Sequence, residues 1–316
     1  GYSVRCGWLE VGGSPYLASL RMNQSNSWEE FREACNFSNI PGENMVWADR
    51  EGNIGWQSVG IAPIRNTHSG LVPVMGDGNY EWEGYLPIIE KPNIFNPENE
   101  FFATANQNVT PSSYDKWNAI GFSWSDPYRG NRVNQVLEKG SNLTMDDMIS
   151  LQVDYLSIPS IQIIEMSNNL ELTEPYKSYL QKLKFWNNKL EKNSSQALVY
   201  VNWEREIMRQ FHMKYVPDQV KDIIDVQLYK VIQKLRESES VDRDQFLRET
   251  FISSIDKLEL EFGNNYDNWV YGQDKYKHIK VKHPLERIVN DSVNKILSFN
   301  SYPRGGNAYT PGLSLI

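Results

Sequence analysis

Cysteine is nearly absent from these 316 residues: only Cys6 and Cys35 occur, and neither sits in a CxxC pair. That excludes a disulfide framework and a thiol-rich metal site, and leaves either two buried thiols or a single bridge between them. No apolar run reaches the roughly 18 residues that span a membrane. Positive charge is in deficit. The net charge is -8 and the pI about 5.2, so the overall field repels nucleic acid and anionic membrane, and neither is expected as a partner. Histidine is scarce too. His68, His212, His278 and His283 include no HExxH pair, which reads as four structural histidines. There is no GxxxxGK[ST], GxGxxG or GxSxG, so neither phosphate cradling nor a nucleophile elbow has support. Internal repeats and low-complexity tracts are missing as well.

What is present describes a packed protein. Hydrophobic residues make up 40% and charged residues 23%, the ordinary globular balance. Ten Trp and seventeen Tyr call for a large core and an aromatic-lined pocket. Six Asn-x-Ser/Thr sequons arise by chance in so Asn-rich a chain and are not read as glycosylation sites.

The chain changes character along its length. Up to residue 142 it reads as strand and loop with short helices. Tyr16–Met22 alternates and predicts a strand. Ser27-Trp28-Glu29-Glu30 is a capping-box start for a helix through Ala34. Met45–Ala48 and Ile54–Gln57 are short apolar runs around Asp49-Arg50-Glu51-Gly52-Asn53, which predicts a hairpin. A Pro/Gly-rich excursion from Ile61 to Pro97 is expected to wrap a core and shape a pocket rim. Phe101–Asn106 predicts another strand. From 143 to 300 the pattern is helical. Thr144-Met145-Asp146-Asp147 is a second helix start. Leu180, Leu183, Trp186 and Leu190 form one stripe, and Leu247, Phe251, Ile255, Leu258 and Phe262 another, with the charges between them read as solvated faces. Residues 301–316 turn at Gly305-Gly306 and are expected to return toward the sheet.

One ordered series of short motifs goes further. It runs from Trp28-Glu29-Glu30-Phe31-Arg32-Glu33-Ala34 through Glu43-Asn44-Met45-Val46-Trp47-Ala48-Asp49-Arg50-Glu51-Gly52-Asn53-Ile54-Gly55-Trp56 to Glu81-Trp82-Glu83-Gly84-Tyr85-Leu86-Pro87. It continues with Phe102-Ala103-Thr104-Ala105-Asn106-Gln107-Asn108 and Tyr128-Arg129-Gly130-Asn131-Arg132-Val133, then more thinly through Trp269-Val270-Tyr271-Gly272, His283-Pro284-Leu285 and Gly305-Gly306-Asn307. Each piece alone is a weak signal. In this order they resemble the penicillin acylase (penicillin amidase) family of N-terminal nucleophile hydrolases.

The resemblance implies an α+β fold: part of an αββα sandwich over 1–142, here incomplete, and a helical lobe over 143–300. It implies hydrolysis of a small-molecule N-acyl amide through an acyl-enzyme. The nucleophile would be the N-terminal Ser of the large subunit, with its own α-amine as base. Asn106 matches the family's oxyanion-stabilising amide, and Arg129 matches an arginine that orients the constellation. An Asn amide offers two N–H donors and does not titrate, and a guanidinium fork suits a carbonyl or carboxylate. Gln107 and Asn108 are the neighbouring candidates for the amide role. Without the resemblance, an Asx-turn and a surface ion pair would be the preferred readings of Asn106 and Arg129.

By the same alignment Gly1 falls inside the large subunit, and Ser3 is not a nucleophile. The nucleophile and much of the acyl pocket are expected in a preceding part of the same precursor, so the fragment alone is expected to be inactive. It is also expected to expose sheet edges and self-associate. No cofactor is expected. No metal ligand is assigned, and a structural calcium belongs to the full-length family member. Family members are periplasmic or secreted. An acyl-homoserine-lactone acylase of the same family and a non-catalytic scaffold built on the fold are the alternatives.

Overall fold

The structure is a computed structural model that describes residues 1–14, 16–273, 278–279, 283–298 and 302–312. The side chain of His278 and the residues around Phe299 lie outside the described set. The chain forms two compact units, Gly1–Ser125 and Asp126–Ile316.

In the first unit, Tyr16–Met22 does not make the predicted strand; Ala18–Met22 is a short helix, α1. Ala18 and Met22 lie four residues apart, which is one helical face, and both are buried. The next helix, α2 (Trp28–Cys35), starts where expected. Ser27 Oγ accepts from Glu30 N at 3.2 Å, and the Glu30 carboxylate accepts from Asn26 N at 2.8 Å, one residue further back than in a standard capping box. Trp28, Phe31, Ala34 and Cys35 are its buried face. They pack with α1, Val59 and Ile88 in a small core.

The hairpin forms as read. β1 (Asn44–Ala48) pairs antiparallel with β2 (Ile54–Ser58), Val46 opposite Trp56. Asp49 closes the loop by accepting from both the backbone N and the side-chain Nδ2 of Asn53, each at 2.8 Å. Gly55 lies under the Trp28 ring: a Cβ there would sit 2.6 Å from the indole. The excursion after Ile61 doubles back on itself, with Ile64 N donating to Gly84 O and Leu86 N to Ala62 O. It supplies β3 (Asn93–Phe95), which joins β2 to complete the order β1-β2-β3. Phe101–Asn106 is irregular rather than a strand, because Asn106 has φ 66° and a left-handed residue breaks a ladder. A short helix, α3 (Trp117–Ile120), follows.

The second unit is helical. α4 (Tyr128–Lys139), α5 (Met145–Gln152), α6 (Ile158–Met166), α7 (Tyr176–Lys184), α8 (Ser195–Tyr215), α9 (Leu228–Glu237) and α10 (Ser240–Phe262) precede the two-residue strand β4 (His278–Ile279). After α11 (Asp291–Leu297), the strand β5 (Tyr302–Pro303) pairs with β4. The division falls earlier than the 142/143 boundary read from sequence. Helix α4 belongs here because Tyr128 is buried in the helical core and its OH donates to Gln162 Oε1 at 3.1 Å.

Thr144 makes a complete capping box with Asp147. Leu180, Leu183, Trp186 and Leu190 are all buried, but α7 ends at Lys184, so the last two reach the core from the segment beyond it. Leu247, Phe251, Ile255 and Leu258 are the inward stripe of α10. The turn at Gly305-Gly306 packs into this unit. Gly306 has φ 74°, and a Cβ there would meet Gly312 O at 2.1 Å, so only glycine fits.

Two charges expected on solvated faces are buried. Glu204 accepts from Tyr200 OH at 2.6 Å and from Asn307 Nδ2 at 3.2 Å. Glu206 accepts from Arg209, Gln210, Ser253 and Lys257. Cysteine burial is split: Cys35 is buried and its thiol pushed up to about 12 by desolvation, whereas Cys6 is exposed, and both are free.

Candidate active site

The first unit holds a cleft of about 540 Å³. One wall is the end of β2, with Trp56, Ser58 and Val59. A second is Lys91-Pro92 from the excursion, which therefore does shape a pocket rim. The loop from Asn106 to Thr110 and the segment 120–125 complete it. Trp56 is fixed from both sides: its Nε1 donates to Asn44 Oδ1 at 2.7 Å, and its ring stacks on Phe102 at 4.5 Å.

Asn106 sits on this cleft in the left-handed conformation, which Asn adopts more readily than most residues. Its carbonyl accepts from Ser125 N at 3.0 Å, tying two walls together. Its neighbours hold the bend. Gln107 Oε1 accepts from Ala105 N at 2.6 Å and its Nε2 donates to Ala103 O at 3.4 Å. Asn108 Oδ1 accepts from Thr110 N at 3.0 Å, an Asx-turn. Of the three candidate amides, Gln107 and Asn108 are thus engaged in bracing their own loop. Asn106 is exposed and lines the cleft from a left-handed backbone position in that braced loop.

Arg129 belongs to the second unit. It is half-buried in the first turn of α4, where burial lowers its pKa. A cation at a helix N-terminus faces the positive end of the helix dipole, a position that favours an anionic neighbour. Arg132, one turn on, is ion-paired to Asp154 at 2.6 Å. All cleft residues belong to the first unit, so the cleft as described contains Asn106 and not Arg129.

Sequence reasoning missed Lys91. It is 9% exposed, and its Nζ donates to Val59 O at 2.7 Å and Gly60 O at 3.0 Å. Burial pulls its pKa down to about 8. The only signal was a lone Lys set between Ile88-Ile89 and Pro92. Two of the described histidines brace backbone: His212 Nε2 bonds Ile224 O at 2.9 Å, and His283 Nδ1 accepts from Leu285 N at 3.2 Å. Among the described residues, no three His, Cys, Asp or Glu side chains gather as a metal site. No described helix is long and apolar enough to cross a membrane.

Comparison with known proteins places this geometry. The acyl-homoserine lactone acylase QuiP of Pseudomonas fluorescens (strain Pf0-1) is 28% identical over 186 residues, 54% of this chain and 22% of that protein. Penicillin G acylase of Escherichia coli is 27% identical over 146 residues, 46% of this chain and 17% of that protein. The chain thus spans about a fifth of the length of the curated relatives it matches. A solved thermostable penicillin G acylase from Alcaligenes faecalis superposes with a TM-score of 0.67 at 18% identity, covering 83% of this chain and 54% of that one, which shows a shared fold. The mixed helix and sheet content agrees with the expected α+β class. The sequence profile described as Penicillin amidase matches residues 1–314, and the chain belongs to that family.

Proposed function

We propose that this chain is part of an N-acyl amide hydrolase working through an acyl-enzyme, and that the cleft of the first unit receives the reacting amide. The observation that carries this reading is Asn106: an uncharged amide on the cleft, held in a braced loop. The nucleophile in this reading is the hydroxyl of an N-terminal residue borne by a part of the protein outside these 316 residues. Its α-amine, with an ordinary pKa of about 7.7–8.0, takes the hydroxyl proton near neutrality.

Attack on the acyl carbonyl places negative charge on its oxygen, and Asn106 donates an N–H to that oxyanion. Collapse expels the amine, which takes the proton from the α-ammonium. Water then attacks the ester with the same base, and the carboxylic acid leaves. The role of Arg129 as the orienting arginine rests on the motif it matches, Tyr128-Arg129-Gly130-Asn131-Arg132-Val133. The chemistry needs no cofactor. No step is routed through a metal, and a structural calcium is left to the longer family member. The substrate is a small-molecule amide, the partner is the remaining part of the same precursor, and the location is the periplasm or outside the cell.

Asn106→Ala in the processed protein should lower kcat by about 10²–10³-fold, roughly 2.7–4 kcal/mol, with KM little changed. Asn106→Asp should do at least as much harm, since it aims a negative charge at a developing one. N-terminal sequencing must first show that processing occurred. Full kcat in processed Asn106→Ala would make the oxyanion assignment wrong.

A second reading has a specific observation behind it: several of the similar proteins bear the name acyl-homoserine lactone acylase. The bond cleaved is the same and the amine half differs. Side-by-side turnover of a phenylacetyl anilide and a long-chain acyl-homoserine lactone separates the two. Turnover of neither by processed protein would favour a non-catalytic derivative of the fold.

A further inference from the structure

Lys91 is a buried cation. Among the described residues no carboxylate lies within ion-pairing distance of its Nζ, and its neighbour Glu90 pairs with Lys116 instead. Two of its three N–H donors go to the carbonyls of Val59 and Gly60, which leaves one. Burying an ammonium without a counter-ion is costly, so such groups are normally paired or neutralised. This one belongs to a residue on the cleft lining.

The other charges nearby do not fill the role. Glu43 is on the cleft lining but outside pairing distance, and the Arg32 guanidinium is taken up by Gln57 Oε1 at 2.9 Å and Ile89 O at 2.5 Å. The remaining wall mixes apolar Trp56, Val59 and Trp124 with hydroxyl and amide groups. That combination suits an acid group carried on an apolar or aromatic body.

We propose that Lys91 is the anion-recognising residue of this cleft, and that the cleft takes an organic carboxylate whose oxygen accepts the third N–H of the ammonium. The inference rests on reading the cleft as the reaction site and adds the charge of what binds there. The carboxylate has two sources: the acid released by hydrolysis, or an acid group on the amine half of the substrate. Lys91 is a specificity residue in either case.

Isothermal titration of the protein compares phenylacetate with neutral phenylacetamide, and 4-aminobenzoate with neutral aniline, at pH 7 and pH 9.5. At least one acid should bind about tenfold more tightly than its neutral counterpart at pH 7. That preference should fade at pH 9.5, because Lys91 loses its proton as pH rises through about 8. Which acid shows it identifies the source.

Lys91→Gln keeps N–H donors for the two carbonyls and removes the charge, so acid and neutral ligand should bind alike at pH 7. Lys91→Arg should retain the preference. A lysine that only clamps the backbone would lower the melting temperature of Lys91→Gln and leave the acid-to-neutral ratio of the folded variant unmoved. If the variant fails to fold, the pH pair on unmutated protein decides. A ratio near one at pH 7, or one that persists at pH 9.5, overturns the proposal. Charge-dependent binding alongside full kcat in processed Asn106→Ala would instead sink the oxyanion assignment and leave the carboxylate subsite standing.

Discussion

In the first unit three short strands and loops enclose a cleft, and much of the geometry is held by side chains bonded to nearby backbone, as at Asp49, Gln107 and Asn108. In the second, α8 and α10, of 21 and 23 residues, pack around Trp203, Phe251 and Leu258, all fully buried. Both units bury charge, but differently. Glu204 and Glu206 sit among donors that match them, from Tyr200 and Asn307 in one case and from Arg209, Gln210, Ser253 and Lys257 in the other. Lys91 has two carbonyls and, among the described residues, no anion in pairing distance. A buried charge whose partners are complete reads as structure. A buried charge with a donor to spare, on a cleft, reads as a place for a ligand.

The contrast predicts that the helical unit loses most from a cavity. Trp203 donates to Thr250 Oγ1 at 3.1 Å and meets Phe251 edge-on at 4.9 Å. Trp203→Ala should cost about 3–5 kcal/mol, read as lost hydrogen-exchange protection along α8 and α10. Protection unchanged there would mean that the helical core is not one cooperative body.

The first unit should instead be most sensitive to backbone closeness. Gly55→Ala drives a Cβ against Trp28, whose ring is held by stacking on Phe31 and Phe95. A cost of about 1–3 kcal/mol is expected in denaturant titration. A neutral result would show that the small core has slack.

Next comes the pair of glutamates. Burial pushes the Glu206 carboxyl up, but hydrogen bonds from Arg209, Gln210, Lys257 and Ser253 outweigh it and hold the group well below the usual range. Its contribution is present above the unfolded value of about 4.3 and is lost as pH falls further. Glu206→Gln should cost about 1–2 kcal/mol at pH 7, because two of its partners are half-exposed, and progressively less below about pH 4. Glu204 runs the other way: burial raises it to about 7, so its contribution is present below about pH 4.3 and is lost as pH rises through about 7. Glu204→Gln should flatten that fall. Parallel pH slopes in the two variants would contradict the assignment.

The smallest effect is expected at a cap. Ser27→Ala removes the acceptor for Glu30 N and should cost about 1 kcal/mol, a local loss at the start of α2 detectable by denaturant titration.

Local patterns were legible where one period dominates. The helix starts at Ser27 and Thr144, the hairpin around Asp49–Asn53 and the inward stripe of α10 follow from neighbours within a few residues. Tyr16–Met22 was misread because so short a run fits either period, and burial of Ala18 and Met22 against α2 selected the helix. Phe101–Asn106 was misread because β-propensity gave way to the left-handed turn at Asn106. Asn106 was legible as a candidate through the motif around it, whereas Lys91 had no motif at all. Its significance depends on Val59 and Gly60, some thirty residues away in sequence, being folded against it.

By itself, then, the sequence determined the class of elements and the family and singled out Asn106 as a candidate, since these rest on local periodicity and an ordered series of short motifs. Only the tertiary structure decided which charges are buried, that Asn106 takes a left-handed backbone position on the cleft, and that a buried lysine lines that cleft with no carboxylate in pairing distance among the described residues. Those outcomes depend on desolvation and on hydrogen-bond partners distant along the chain, and no local pattern encodes either.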